Sequence, residues 1–447
     1  MTRDINHPLP HDSLAASLLA AAYVLEQVMD RGRSLSDVMS DGILTMADPA
    51  QRAAVQDISY TAVRNWGRAY AVLTELTGGR PLKPIGMGYL LATSLGLAVD
   101  PTEERYEAHT LVNQTVVAAD SQVALRPGKG LINACLRRFY REKDALFSRS
   151  DSDLAARWGF PAWWVKKLQK EQPSGWREVL SASYGQPPLV LRVNRRRCTV
   201  DAFLQACERE GLEARALDGQ AVWLPKPVPV SRIPGFADGH VSVQDLTAQR
   251  AAPLLDVRDG MRVLDACCAP GGKTGHLLEL ADLDLLALDV DVKRMQRVSD
   301  NLRRLGLLSS GVTLKAADAA APDTWWDGKP FDAILADVPC TGSGVTRRHP
   351  DIRWLRRSGD VAAMSQLQMK LLDVLWSVLK PGGTLLLVTC SIFGEEGEHL
   401  LARFMGRHPE AVALPSPGLV LPQAQHNGPG HDGFFYARLQ KPPLTQA

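Results

Sequence analysis

The sequence predicts an α/β protein built around a doubly wound parallel sheet, with an all-helical region and a small α+β module ahead of it. Three observations carry this. From about residue 241 onward, short apolar runs alternate with stretches of helical periodicity, as strand–helix units do. The first 150 residues repeat apolar positions almost only at helical spacing. Between the two, Gln186-Pro187-Pro188 and the Pro-rich stretch Pro225–Pro234 punctuate a segment that mixes both periods. A chain of 447 residues is too long for one core. The expected division is therefore 1–150, 151–240 and 241–447.

In order, helices are expected over Leu14–Val28, Ala53–Leu76, Tyr89–Ala98, Ala108–Val117 and Gly130–Tyr140, a small bundle. The last carries Arg137, Arg138 and Arg141 beside Phe139 and Tyr140, and Arg64, Trp66 and Arg68 form a similar group. Such basic-aromatic pairs suit RNA, through phosphate contact and base stacking. A further helical piece spans Ser152–Ser183. In the module, Leu189–Arg197 reads as a strand with a basic end (Arg195, Arg196, Arg197), Asp201–Glu210 as a helix and Ala221–Leu224 as a strand. The expected core strands are RVLDA, LLALDV, VTLKAAD, FDAILADV and GTLLLVTCS.

Composition excludes several classes. Hydrophobic residues at 45% and charged residues at 22% fit a soluble globular protein. A net charge of +2 gives no global field for nucleic acid, so local clusters carry that case. No apolar run is long enough to span a membrane. MTRDINHPLPHD lacks the apolar core of a leader, so the cytoplasm is expected. Seven cysteines without a C-x-x-C pair fit reduced thiols, with neither a disulfide framework nor a zinc site. Nothing suggests an obligate oligomer, so a monomer is expected.

The stretch Val263–Leu280, VLDACCAPGGKTGHLLEL, organises the core. A strand, a glycine-rich turn and a helix bring backbone N–H groups to a bound ligand. A phosphate-binding loop would need Gly where Cys267 stands, so that pattern fails. The same geometry serves the cofactor loop of S-adenosylmethionine-dependent methyltransferases. Each expected strand ends at or just before a polar or reactive residue: Asp265, Asp289, Asp318, Asp337 and Cys390. Ligands of open α/β sheets bind outside those ends. Asp289 lies where an acid accepts from ribose hydroxyls, and Asp318 where a carboxylate takes an adenine amino group.

Asp337-Val338-Pro339-Cys340 and Thr389-Cys390-Ser391 each present a cysteine at that edge. Thiolate attack on C6 of a pyrimidine makes C5 nucleophilic toward a sulfonium methyl, and a carboxylate such as Asp337 meets the charge that builds at N3. A second cysteine can help remove the C5 proton and release the adduct. Arg347 to Arg357, with five arginines, His349 and Trp354, suits an RNA backbone and an unstacked base, and His349 reads as a general base or a positioning group.

With these residues in view, the chain resembles the RNA cytosine-C5 methyltransferases, and among them the bacterial 16S rRNA enzymes of the Sun/RsmB type. DACCAPGGKT is similar to their cofactor motif, DVPCTGSGVTRRHPDIRW to their first cysteine loop and LVTCS to their second. ISYTAVRNW and LINACLRRF resemble the helical RNA-binding domain shared with the NusB antitermination factor, and VSVQDLTAQ also looks like the family. The resemblance implies a class I Rossmann-like methyltransferase domain behind a NusB-like domain and a connecting module. It implies that Cys390 is the nucleophile, that Cys340 assists release and that Asp337 serves both catalysis and cofactor binding. Cofactor binding by Cys267, Cys268, Ala269, Pro270, Gly271, Gly272, Lys273, Asp289 and Asp318 is implied with it. The chain departs from the pattern at Cys268 and Val338, where the family usually has Ala, and at Thr341-Gly342-Ser343-Gly344. The implied activity is methylation of a cytosine C5 in 16S rRNA with S-adenosylmethionine, with RNA and not DNA as partner. The alternatives are a tRNA cytosine-C5 methyltransferase and a non-catalytic RNA-binding or antitermination protein.

Overall fold

The computed structural model of the chain describes residues 9–41, 48–100, 105–426 and 428–443. Part of the N-terminal stretch read against a leader, residues 1–8, lies outside them. The chain forms two compact units, Met1–Trp176 with Arg348–Ser358, and Arg177–Arg347 with Gly359–Ala447.

The first unit is helical. Its main helices are Leu14–Met29, Pro49–Arg64, Trp66–Leu76, Ile85–Ala98, Ala108–Asp120 and Lys129–Ser150. Ser13 starts the first one, its hydroxyl accepting from the Ala16 N–H at 3.2 Å. The helix expected over Ala53–Leu76 breaks at Asn65, whose side-chain amide donates instead to the Gly96 carbonyl at 2.9 Å. Two residues on, Gly67 runs so close to the backbone of Ala155 that a Cβ would stand 2.1 Å from its carbonyl oxygen. The unit continues past residue 150 through Leu154–Trp158 and Ala162–Glu171.

Several basic residues of this unit bond within it. Arg64 is buried. Arg68 pairs with Asp151 at 2.9 Å and stacks on Phe147, and Arg138 and Arg141 both bond Glu142. The segment Arg348–Ser358 corrects the sequence reading most. Arg353 is fully buried over the Phe160 ring, its guanidinium 3.4 Å from the carbonyls of Arg64 and Gly159. The Trp354 indole N–H donates to the Val63 carbonyl at 2.8 Å, and Asp351 accepts from the Leu35 N–H at 2.9 Å. These side chains complete a helical core and are not offered to RNA. Arg347 is buried as well.

The second unit holds two sheets. Strands β1 (Leu189–Val193), β2 (Arg215–Ala216), β3 (Ala221–Leu224) and β4 (Val241–Val243) form an antiparallel sheet ordered β2-β3-β1-β4. The helix Val200–Arg209 buries Phe203 and Cys207 in its core. The strand expected to run to Arg197 stops at Val193, and the basic run caps a helix end instead. Arg195 donates to the carbonyls of Glu279 and Leu280, at 3.1 and 2.8 Å, and Arg196 pairs with Asp282 at 2.6 Å.

The large sheet contains β5 (Arg262–Asp265), β6 (Asp284–Asp289), β7 (Val312–Ala316), β8 (Phe331–Asp337), β9 (Leu379–Thr389), β10 (Val412–Val420) and β11 (Phe434–Gln440). Its order is β10-β11-β9-β8-β5-β6-β7. The pairs among β5 to β9 are parallel, whereas β11 runs antiparallel to β9 and β10 antiparallel to β11. The first five are the expected strands. Buried on both faces, β5, β6, β8 and β9 need unbroken apolar runs, which made them legible. Among the described residues no helix is long and apolar enough to cross a membrane.

Candidate active site

Because β5 is flanked by β6 and β8, the order reverses at its end, and the loops after these strands open the crevice where such sheets bind ligands. The turn after β5 is tied to the end of β6. The Cys268 N–H donates to the Leu288 carbonyl at 2.8 Å, and the Ala269 N–H to Asp289 Oδ2 at 3.3 Å. The Asp291 N–H holds the other Asp289 oxygen at 3.0 Å. Gly271 closes the turn onto the Cys268 carbonyl at 2.7 Å with φ +92°, and a Cβ there would press on Val298 at 3.1 Å. The helix Gly272–Leu280 starts at once. Cys268 packs into the apolar core. Burial, then the nearby Asp337, Asp265 and Asp289 carboxylates, push the Cys267 thiol up, so it stays protonated at neutral pH.

Asp265, fully buried, accepts from the Thr274 hydroxyl at 2.7 Å, and its Oδ1 has no partner. Burial raises this carboxyl to about 7. Asp318, exposed two residues past β7, accepts from the Ala320 N–H at 2.9 Å. Lys273 and Asp337 join the turn to the end of β8, Nζ to Oδ2 at 2.5 Å. Burial opposes the ammonium charge, but Asp337 and the neighbouring Cys390 raise Lys273 on balance.

The two cysteine loops meet. Cys340 Sγ lies 2.9 Å from Cys390 Sγ. The hydrogen bond to Cys390, then burial, then the charges of Cys390 and Glu396 push the Cys340 thiol well up. Two sulfurs this close cannot both be anionic, and the proton stays on Cys340. The loops are laced together: the Gly344 N–H donates to the Cys390 carbonyl at 2.9 Å, and the hydroxyls of Ser343 and Ser391 are 2.9 Å apart.

Sequence reasoning missed Glu396 and Gln368. Glu396 is fully buried, accepting from the Thr341 N–H at 2.9 Å, the Thr341 hydroxyl, the Ser391 hydroxyl at 2.6 Å and the Gln368 amide at 3.1 Å. The Gln368 amide also donates to the Pro339 carbonyl at 2.8 Å. Nothing local in GEEGE separates Glu396 from Glu395 or Glu398, which left no signal to find it by. A cavity of about 680 Å³ in the helical unit is lined by none of the expected catalytic or cofactor residues, though Trp66, Trp354 and Arg357 from the groups expected to contact RNA line it.

A seven-stranded sheet of this order, with a glycine turn after β5 and acids at the strand ends, defines a Rossmann-like methyltransferase. Residues 252–440 match the family described as 16S rRNA methyltransferase RsmB/F, and residues 160–231 match the ferredoxin-like domain of RsmF/B-like methyltransferases. Ribosomal RNA small subunit methyltransferase B of Salmonella newport is 41% identical over 94% of this chain and 97% of its own. The crystal structure of PH0851 aligns with a TM-score of 0.74 at 24% identity, over 97% of this chain and 100% of that one. A methyltransferase homolog from Pyrococcus horikoshii aligns with a TM-score of 0.55 at 28% identity, over 64% of this chain and 97% of that one. The chain belongs to the RsmB/F family of rRNA methyltransferases, and its cofactor is S-adenosylmethionine.

Proposed function

We propose that this enzyme methylates C5 of one cytosine in 16S rRNA through a covalent Cys390–C6 intermediate. The observation that carries the reading is the pair of sulfurs 2.9 Å apart, beside an acid at the adjoining strand end. On this reading the partner is RNA, and the compartment is the cytoplasm.

The turn residues fit the cofactor. Gly271 keeps a side chain out of the turn, and the Asp289 carboxylate is steadied by two backbone N–H groups with lone pairs left to accept a ribose diol. Cys267 to Lys273, Asp289, Asp318 and Asp337 would hold it. When bound, S-adenosylmethionine supplies an electrophilic methyl group to C5.

The chain's own residues do the rest. Cys390 attacks as thiolate, with the Lys273 ammonium as its electrostatic neighbour. The new S–C6 bond draws on the C5=C6 electrons, and negative charge builds toward N3. Asp337 meets it by relaying to N3 a proton drawn from the Lys273 ammonium. Once Cys390 is a neutral thioether, its push on Cys340 is gone and Cys340 can give up its proton to water, the one proton the reaction releases. As thiolate it takes the C5 proton, C5=C6 re-forms, the C6–S bond breaks and Cys390 leaves as thiolate, while N3 returns its proton through Asp337 to Lys273. The sulfurs thus take turns as the anion.

Bisulfite sequencing of rRNA and tRNA from cells with and without the protein tests the reading. Loss of one 16S rRNA mark is expected. Loss of a tRNA mark instead would overturn the substrate, and no change anywhere would overturn the activity. Cys390→Ala should abolish methylation, and Cys340→Ala should accumulate a protein–RNA adduct stable to denaturation.

A further inference from the structure

Glu396 reaches both halves of the cysteine pair without touching either sulfur through a hydrogen bond. Thr341 follows Cys340 and Ser391 follows Cys390, and both donate to this carboxylate. Gln368 bridges it to Pro339, which precedes Cys340. Its own carbonyl accepts from the Thr389 hydroxyl at 3.1 Å, on the other side of Cys390. Every residue flanking a catalytic sulfur is therefore bonded to Glu396 or to its partner. Four hydrogen bonds converge on its two oxygens, and two of them, from the Thr341 N–H and the Gln368 amide, can only be donated to it.

A buried carboxylate is costly to keep, and burial does raise Glu396 against its four hydrogen bonds. For fastening loops alone, a neutral amide or water would serve at lower cost. The negative charge has one further consequence: it lies close enough to Cys340 to hold that thiol protonated while Cys390 is free.

We propose that Glu396 is a positioning residue of the methyl-transfer site, fixing the spacing of Cys340 and Cys390 and deciding which of them holds the proton. This rests on the roles given to the two cysteines above. Glu396→Gln keeps the shape, its amide oxygen accepting from the Thr341 N–H and the Gln368 amide while its N–H₂ faces the Thr341 and Ser391 hydroxyls, which can turn to accept, and it removes the charge.

The test is alkylation of the intact enzyme by iodoacetamide across pH, with Cys340 and Cys390 quantified separately by peptide mass spectrometry. In the natural enzyme Cys390 should react first. In Glu396→Gln the Cys340 curve should move to lower pH, and the Cys340-to-Cys390 ratio at neutral pH should rise about tenfold or more. Turnover should fall at least tenfold with cofactor affinity held within about twofold. An unchanged ratio and an unchanged midpoint would overturn the proposal. If Glu396→Gln does not fold, as judged by cofactor binding, Ser391→Ala is read in the same way. A smaller shift in the same direction is then expected, and none would overturn the proposal. The alkylation readout needs no RNA, so an error in the assigned substrate would show in the methylation assay alone.

Discussion

Lys273 Nζ and Asp337 Oδ2 lie 2.5 Å apart, joining the first residues of the helix after β5 to the last residue of β8. The pair spans the point where the strand order reverses. It also puts one positive charge between the glycine turn after β5 and the first cysteine loop, with the Phe434 ring 5.3 Å from the ammonium. Lys273→Met should therefore affect chemistry more than binding. A fall in kcat of about 10²–10³, the usual cost of removing one preorganised charge, is expected in a tritiated-methyl transfer assay. A change within twofold would remove Lys273 from the proton path.

Arg192 tests how the ferredoxin-like module supports the cofactor turn. Fully buried on β1, it bonds both oxygens of the buried Glu279, at 2.8 and 2.7 Å, as well as Gln244 and the Gly272 carbonyl at 2.8 Å. Arg192→Met leaves Glu279 buried and unpaired, which should cost about 3–5 kcal/mol in urea denaturation. Replacing both, as Arg192→Met with Glu279→Leu, should recover most of that stability while cofactor affinity stays reduced, because the Gly272 carbonyl has lost its donor.

Asp265 sets a pH dependence. Its folded value of about 7 stands above the ordinary 3.8, so between those values the native state holds a proton that the unfolded chain lacks. Its contribution is fully present below about 3.8 and is lost as pH rises through 7, roughly 4 kcal/mol at most. His276, buried and pushed down to about 2, works the other way, its contribution being lost as pH falls below 6.5. The informative quantity is the difference between the natural chain and Asp265→Asn. Denaturation midpoints from pH 4.5 to 8 should show the natural chain losing ground to the variant as pH rises. A flat difference would contradict this.

Gly344 is a close crossing. A Cβ there would stand 2.1 Å from the carbonyl oxygen of Gly433, whose N–H donates to the Gly344 carbonyl at 2.8 Å. Gly344→Ala must push the first cysteine loop away from the Cys390 carbonyl. Turnover should drop at least tenfold in a protein whose far-UV circular dichroism is unchanged.

The methyltransferase sheet was legible where burial imposes a pattern. Strands covered on both faces need apolar runs, and their ends need polar residues, so β5, β6, β8, β9 and the polar residues at their ends stood out. The closing hairpin did not. Phe434–Gln440 is buried on both faces, but Arg438 and Gln440 interrupt its apolar run, and Val412–Val420 is an exposed edge broken by Pro415, Pro417 and Gly418. Glu396 was invisible because its importance lies in donors that arrive from Gln368 and Thr341, 28 and 55 residues away. The arginines misled for the same reason. A basic run looks alike whether it meets phosphate or, as with Arg195 and Arg353, the carbonyls of its own chain.

The seating of Arg353 and Trp354 against the helical core also fixes an order of events during synthesis. The segment ending at Trp176 leaves the ribosome first, yet the side chains that seat against Val63, Arg64 and Gly159 are not made until residues 177–347 have followed. At about 5–20 residues per second, that interval lasts on the order of ten to thirty seconds. The nascent helical unit spends it with an open core face. Translation speed through the sheet thus governs how long that face is exposed to chaperones and proteases, and a gene fragment stopped at Trp176 would never close it.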